Sequence, residues 1–204
     1  MKDEHQKKRC RETSSRKLLE AGVEVFAQVG YDCATTKLVA QRAGINESLI
    51  NRYFEGKAGL LLAIIRQSNE CENLEAQISQ FSRGDTVEKE ILNYFMASLE
   101  HFESNNDLMR VLLSRAMVDP EISAEMQKQM HCKGGIQRLI EDLKAFQKRG
   151  DIRVDVDVEK AAFCIRAQAF SLGFLFHLVM GVDRKQVAAL MSDFAKNYSE
   201  GLLR

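Results

Sequence analysis

Apolar residues recur at intervals of three and four along almost the whole chain, the spacing that puts them on one side of an α-helix. Leu19, Gly22, Phe26 and Val29 set this pattern from about Thr13 to Val29, and Gly30 stops it. The chain has one proline, Pro120, in 204 residues, too few for the many turns of a sandwich or barrel. No segment alternates convincingly as a strand, and no internal repeat occurs. The expected fold class is all-α.

The same spacing predicts the remaining elements. A helix runs from Lys57 into the Gln80 region, with Leu60, Leu61, Ile64 and Ile65 on its apolar face, and 82–85 is a break. Helices follow at Val87–Phe102 and Asp107–Met117. Asp119-Pro120-Glu121 starts another, with a capping carboxylate, a proline in the first turn and an acid near the positive end. It should reach Lys148, with a weak point at Gly134-Gly135. Gly150 ends it, and Asp151–Asp155 is an extended connector. The last two helices are Val158–Met180 and Arg184–Leu203.

Charge divides the chain. Residues 1–57 hold 11 Lys+Arg against 8 Asp+Glu, and residues 58–204 hold 18 against 21, so the whole is neutral. The first 17 residues carry seven basic side chains and three acidic ones. A basic arm on a small globular unit suits a polyanion, and a solvated tail would have the same composition. Domain boundaries are expected at 1–57, for a basic arm and DNA-binding domain, and 58–204, for a larger helical domain.

The segment Thr35–Phe54 carries the function. Thr36 can cap a helix over Lys37–Ala43, and Gly44 lies just past its end, where a positive φ is cheap for glycine. Asn46 caps a second helix running through Tyr53. So tight a turn makes the helices cross steeply, which requires a small residue at the contact. Ala40 supplies it, while Val39, Ala43, Ile45 and Ile50 fill the wedge: the geometry of a helix-turn-helix. Leu49, Ile50 and Tyr53 take the inner face, leaving Glu47, Ser48, Asn51 and Arg52 outward on a helix that fits the major groove. Asn51 suits adenine, Arg52 guanine or a phosphate, and Glu47 the amino group of cytosine. Thr36, Lys37 and Lys57, at helix starts, suit phosphates. Asn46 and Tyr53 complete the candidate DNA-binding set.

These residues resemble the TetR family of bacterial transcriptional regulators over roughly residues 13–65. KLLEAGVEVFAQVGYDCATT is similar to that family's first helix, with its Phe26, Gly30 and Tyr31 ending. TKLVAQRAGINESLINRYFEGKAGLL is similar to its helix-turn-helix, through Ala40, Ala43, Gly44, Tyr53, Phe54, Lys57 and Leu60. The sequence departs in carrying Asn51 where many members place a tyrosine against phosphate, and Glu55-Gly56 where a polar cap is usual. The resemblance implies an N-terminal three-helix DNA-binding domain, then a larger, variable helical domain that binds a small molecule and dimerises through its last two helices.

One helix-turn-helix reads few base pairs, so a homodimer on a pseudo-palindromic operator in double-stranded DNA is expected. Residues 158–180 are too apolar for one buried stripe. Phe170, Gly173, Phe174, His177, Leu190 and Phe194 are the candidate dimer interface. An effector cavity would draw on Phe95, Met96, Phe102, Met109, Met117, Phe163 and Phe170, with His101 or Arg166 as polar anchor. Few uncompensated charges fall on those faces, which suggests a hydrophobic or amphipathic ligand.

Catalysis finds little support. Four histidines form no ligand pair, and neither a phosphate loop nor a nucleophile elbow occurs. No catalytic residue, cofactor or metal is expected. Five scattered cysteines without a C-x-x-C pair suit a reducing cytoplasm. Neither a leader nor a membrane partner is expected, the apolar stretch 170–182 being too short to span. The whole reads as a dimeric DNA-binding regulator, a repressor released by a small ligand. The alternative is a helical protein–protein adaptor or ligand-binding protein without DNA binding.

Overall fold

The structure, a computed structural model, describes residues 2–67, 83–130 and 134–203. Among them are ten α-helices and no named strand: α1 Lys2–Val29, α2 Thr36–Ala43, α3 Ser48–Phe54, α4 Lys57–Gln67 and α5 Val87–Ser104. The rest are α6 Asn106–Ala116, α7 Pro120–Met130, α8 Gly134–Arg149, α9 Val158–Phe170 and α10 Arg184–Leu202. The backbone of α1 is helical from Lys2, so the basic arm is an extension of that helix and not a separate tail. Beyond Gln67, the helix expected to reach the Gln80 region lies outside the described residues. So do residues 131–133, inside the helix expected from 120 to 148.

The chain forms two compact units, Met1–Asn69 with Asp107–Gln129, and Glu70–Asn106 with Met130–Arg204. In the first, Leu18 and Phe26 of α1, Ile50 of α3, and Leu60, Leu61 and Ile65 of α4 are all buried. Burying each such side chain is worth roughly 1.5–3 kcal/mol. A Cβ at Gly22 would stand 3.0 Å from Ile64 Cδ1, so the glycine sets how closely α1 and α4 approach. Val111, Leu112 and Ile122 of α6 and α7 join this core. The unit that holds the helix-turn-helix therefore continues past residue 57, because the apolar face of α4 fills it.

In the second unit α5, α8, α9 and α10 bury Ile91, Phe95, Leu99, Leu143, Ile165, Val187 and Met191. Thr86 and Asp157 cap α5 and α9, accepting from Lys89 N and Lys160 N. The 151–155 connector, expected to be extended, is so only at its start, where an isolated bridge joins Ile152 to Leu203; Val154 and Asp155 form a turn, with Val156 N donating to Arg153 O at 3.2 Å. Glu90, 2% exposed, accepts from Gly84 N at 2.6 Å. Burial holds its carboxyl above the usual range, with the nearby Asp142 adding to the rise.

The helix after α9 differs from the expected α-helix to Met180: Ser171–Val179 is a π-helix. Together Val158–Val179 make 22 residues, long and apolar enough to cross a membrane by length and composition, which the shorter stretch 170–182 was not expected to be. Ala161, Ala162, Ile165, Ala169, Leu172 and Phe174 of this helix are nonetheless buried in the unit. Wider π turns put residues four apart nearly above one another, and Phe170 and Phe174 stack at 5.3 Å.

Candidate nucleic-acid interface

The turn between α2 and α3 follows from Gly44, at φ 65° and ψ 35°. Gly44 N donates to Gln41 O at 3.2 Å, and Ile45 N to Ala40 O at 3.0 Å. This pair of bonds is a Schellman closure, which needs a left-handed residue at that one position. Ala40 is 4% exposed and Ile50 is fully buried, so the small-residue contact and the wedge are where the spacing put them.

The caps differ by one residue from expectation. Thr35 caps α2, its Oγ1 accepting from Leu38 N at 3.2 Å, and Thr36 is the first helical residue. Thr36 Oγ1 instead donates to Glu47 Oε1 at 2.6 Å, tying the start of α2 to that of α3. Glu47, and not Asn46, directly precedes α3 and makes no side-chain cap bond, but Asn46 Oδ1 accepts from Ser48 N, the first residue of the helix, at 2.9 Å. Arg42 anchors α2 on α1 through Glu24 at 2.8 Å and Gln28 at 2.7 Å.

On α3 the expected division of faces holds. Glu47, Ser48, Asn51 and Arg52 are exposed, while Leu49 and Tyr53 are half-buried against the core. Lys37 is exposed and Thr36 half-exposed at the start of α2. Tyr53 receives the Arg11 guanidinium over its ring, 5.3 Å from the centroid. The arrangement offers hydrogen-bonding side chains on an exposed helix, with cations at Lys37, Arg52 and Arg11. Glu47 and Glu55 limit its positive field.

Lys57 differs from expectation. Its Nζ donates to the carbonyls of Tyr31 at 2.8 Å, Ala34 at 2.9 Å and Asp32 at 3.3 Å. The ammonium also lies 4.4 Å from the centroid of the Tyr31 ring. On that ring the Arg115 guanidinium lies at 4.8 Å, bonded also to Asp32 and Asp119. Burial raises the Tyr31 phenol above its ordinary value, and the Arg115 charge opposes the rise. Tyr31, Arg42 and Arg115 were missed as positioning residues because their roles depend on tertiary neighbours, and Thr35 because the cap was placed one residue too late. Only the TT pair hinted at Thr35.

The candidate effector residues do not form one set. Met109 belongs to the first unit, as does Met117, which is 86% exposed. In the second unit Phe163 is 57% exposed. Neither Met117 nor Phe163 lines an interior cavity, because each is on the surface. Phe95, Phe102 and His101 are buried, and Met96, Arg166 and Phe170 half-buried. Burial lowers the His101 imidazole below its ordinary pKa, so the ring favours its neutral form. Ser98, 1% exposed on the same helix, has a hydroxyl without a hydrogen-bond partner and was not singled out by sequence.

The dimer candidates also divide. Gly173 is buried, and a Cβ there would stand 3.0 Å from Phe102 and 3.4 Å from Met191, so it admits neighbours from its own chain. Phe174 is 2% exposed, against Phe102 and Phe170. His177 bonds Val182 O at 2.8 Å and Glu103 at 3.1 Å. Phe170 is half-buried against Phe102, and Phe194 stacks on Tyr198. Of the six, Leu190 is exposed. Other exposed apolar side chains on α9 and the helix after it are Phe163, Leu175, Phe176, Val179 and Met180. Leu175, Phe176 and Val179 lie in the π-helix, Phe163 before it in α9, and Met180 just past its end.

Among the described residues no three His, Cys, Asp or Glu side chains converge as a metal site. Residues 18–64 match the family described as "Bacterial regulatory proteins, tetR family". The HTH-type transcriptional regulator YvkB of Bacillus subtilis is 26% identical over 149 residues, 72% of this chain and 75% of that protein. The HTH-type transcriptional repressor KstR of Mycolicibacterium smegmatis is 25% identical over 109 residues, 53% of this chain and 52% of that one. The fold is similar to that of the regulator FadR from Bacillus subtilis, solved with stearoyl-CoA. That likeness has a TM-score of 0.70 at 19% identity, over 92% of this chain and 98% of that one. The helix-turn-helix thus lies in the segment that matches the tetR family of bacterial regulatory proteins, and the relatives that this chain is similar to are transcriptional regulators.

Proposed function

We propose that the protein is a homodimeric repressor that binds a pseudo-palindromic operator in double-stranded DNA and leaves it when a small hydrophobic or amphipathic ligand binds the second unit. The observation that carries this reading is the exposed outer face of α3, where Glu47, Ser48, Asn51 and Arg52 stand opposite the buried Ile50. That face enters the major groove, and Thr36 and Lys37 meet phosphates beside it. KstR, a relative, is a repressor, and FadR, a fold neighbour, was solved with an acyl-CoA, which supports both the sense of regulation and the class of effector.

Dimerisation uses the apolar face of Phe163, Leu175, Phe176, Val179 and Leu190, exposed on a single chain. Phe95, Met96, His101, Phe102, Arg166 and Phe170 are the remaining effector candidates. The protein acts in the cytoplasm, with no membrane partner. Release from DNA is a coupling free energy: the effector favours a spacing of reading helices other than the ~34–36 Å of one DNA turn.

Selection of duplexes from a random-sequence pool tests the reading. A two-fold consensus should emerge, and Arg52→Ala should relax one position of each half-site. Lys37→Gln should weaken all sequences alike and reduce the slope of log K against log salt by about 0.9 per lost phosphate contact. A pool that yields no enriched sequence would overturn it.

A further inference from the structure

We propose that Lys57 is a positioning residue for DNA binding: it is a strut that holds the turn before α2, and it does not contact phosphate. The inference rests on the DNA-binding reading above. An ammonium group has three N–H donors. At Lys57 three carbonyl oxygens lie within hydrogen-bond reach, those of Tyr31, Ala34 and Asp32. Three acceptors therefore answer three donors. To reach a phosphate the side chain would have to abandon at least one carbonyl and leave the Tyr31 ring, whose face it also covers.

The position of the strut explains its use. Tyr31, Asp32 and Ala34 form the link from α1 to α2, and Thr35 and Thr36 come next in the chain. Lys57 is the first residue of α4, directly after α3 and the Glu55-Gly56 turn. Its ammonium thus joins the start of α2, where Lys37 and Thr36 stand, to the end of the reading helix α3. Arg115 braces the same link as well, through the Tyr31 ring and Asp32 Oδ1 at 3.2 Å. The guanidinium is itself held by Asp119 at 3.3 Å. Two cations clamp one tyrosine, and the clamp fixes how far the phosphate-facing helix start lies from the base-facing side chains.

The full-length protein carrying Lys57→Met, and separately Arg115→Gln, is titrated against the wild-type consensus duplex at several salt concentrations. Circular dichroism confirms that each variant is folded at the assay temperature. The expected result is a fall of about tenfold in affinity, with a salt slope changed by less than half of the ~0.9 that one lost phosphate contact removes. If Lys57→Met flattens the slope by the full amount, Lys57 is a phosphate ligand and the proposal is overturned. Unchanged affinity in both folded variants would make the clamp a matter of stability alone, and overturns it too. Should Lys57→Met fail to fold, Arg115→Gln decides by the affinity criterion. Wild-type protein that binds no duplex would instead sink the DNA-binding reading, a result distinct from either failure.

Discussion

Two glycines near the reading helix respond to the same substitution for opposite reasons, and alanine at each separates backbone strain from steric overlap. At Gly44 a Cβ would meet nothing within 4 Å, so space is not the obstacle. The obstacle is φ 65°, where an L-residue costs about 1–2 kcal/mol. Gly44→Ala should fold, with the α2–α3 turn opening roughly 5–30 times more often. Gly44→Asn should cost less, because asparagine tolerates that conformation. At Gly59 the backbone has no positive φ, but a Cβ would overlap the carbonyl oxygen of Phe54. A backbone oxygen cannot turn aside as a side chain can, so the start of α4 must move away from the end of α3. The cost should reach or exceed the ~3 kcal/mol typical of severe overpacking. Amide hydrogen exchange across 40–51 and 54–62 reads each site locally. Gly59→Ala should raise exchange at the α3–α4 junction more than a hundredfold, and Gly44→Ala should leave that junction unchanged. If Gly44→Ala proved the costlier, or Gly59→Ala exchanged like the wild type, the account of both turns would be wrong.

Sequence spacing was sufficient where a local rule determines the outcome. Gly44 ends α2, Asn46 accepts from the first N–H of α3, and Ile50 is buried because each depends on neighbours within a few residues. The faces of α3 were legible for the same reason. What the sequence concealed depends on partners far along the chain. Lys57 looked like a free cation at a helix start, yet its acceptors lie 23–26 residues earlier. Arg115 reaches Asp32 across 83 residues. Phe174 was an expected interface residue, yet it is buried against Phe102 and Phe170 of its own chain, while Phe176, two positions on, is exposed. Nothing in the composition of SLGFLFHLV distinguishes a π-helix from an α-helix.

The apolar face gives the second prediction. Phe176→Asp should turn dimers into folded monomers in sedimentation, whereas Phe174→Asp should unfold the second unit, since Phe174 is 2% exposed; intact dimers with Phe176→Asp would place the interface elsewhere. The last prediction concerns pH. His101 is 3% exposed, and burial lowers its folded pKa below 6.5, the value of the unfolded chain. As pH falls below that value the unfolded state takes up a proton that the folded state refuses. Stability from this residue is therefore complete above about 6.5 and is lost as pH falls towards the folded pKa, by up to ~1.4 kcal/mol per pH unit. Glu90 acts in the opposite sense: its folded pKa is raised above 4.5, so its contribution falls as pH rises through that value. Because the two groups act in opposite senses, the measurement is a difference between proteins. Urea unfolding at pH 7.5 and 5.5 should show the wild type losing more stability on acidification than His101→Phe does. Equal losses would mean that His101 takes up its proton inside the folded unit, and that the buried imidazole is not held neutral.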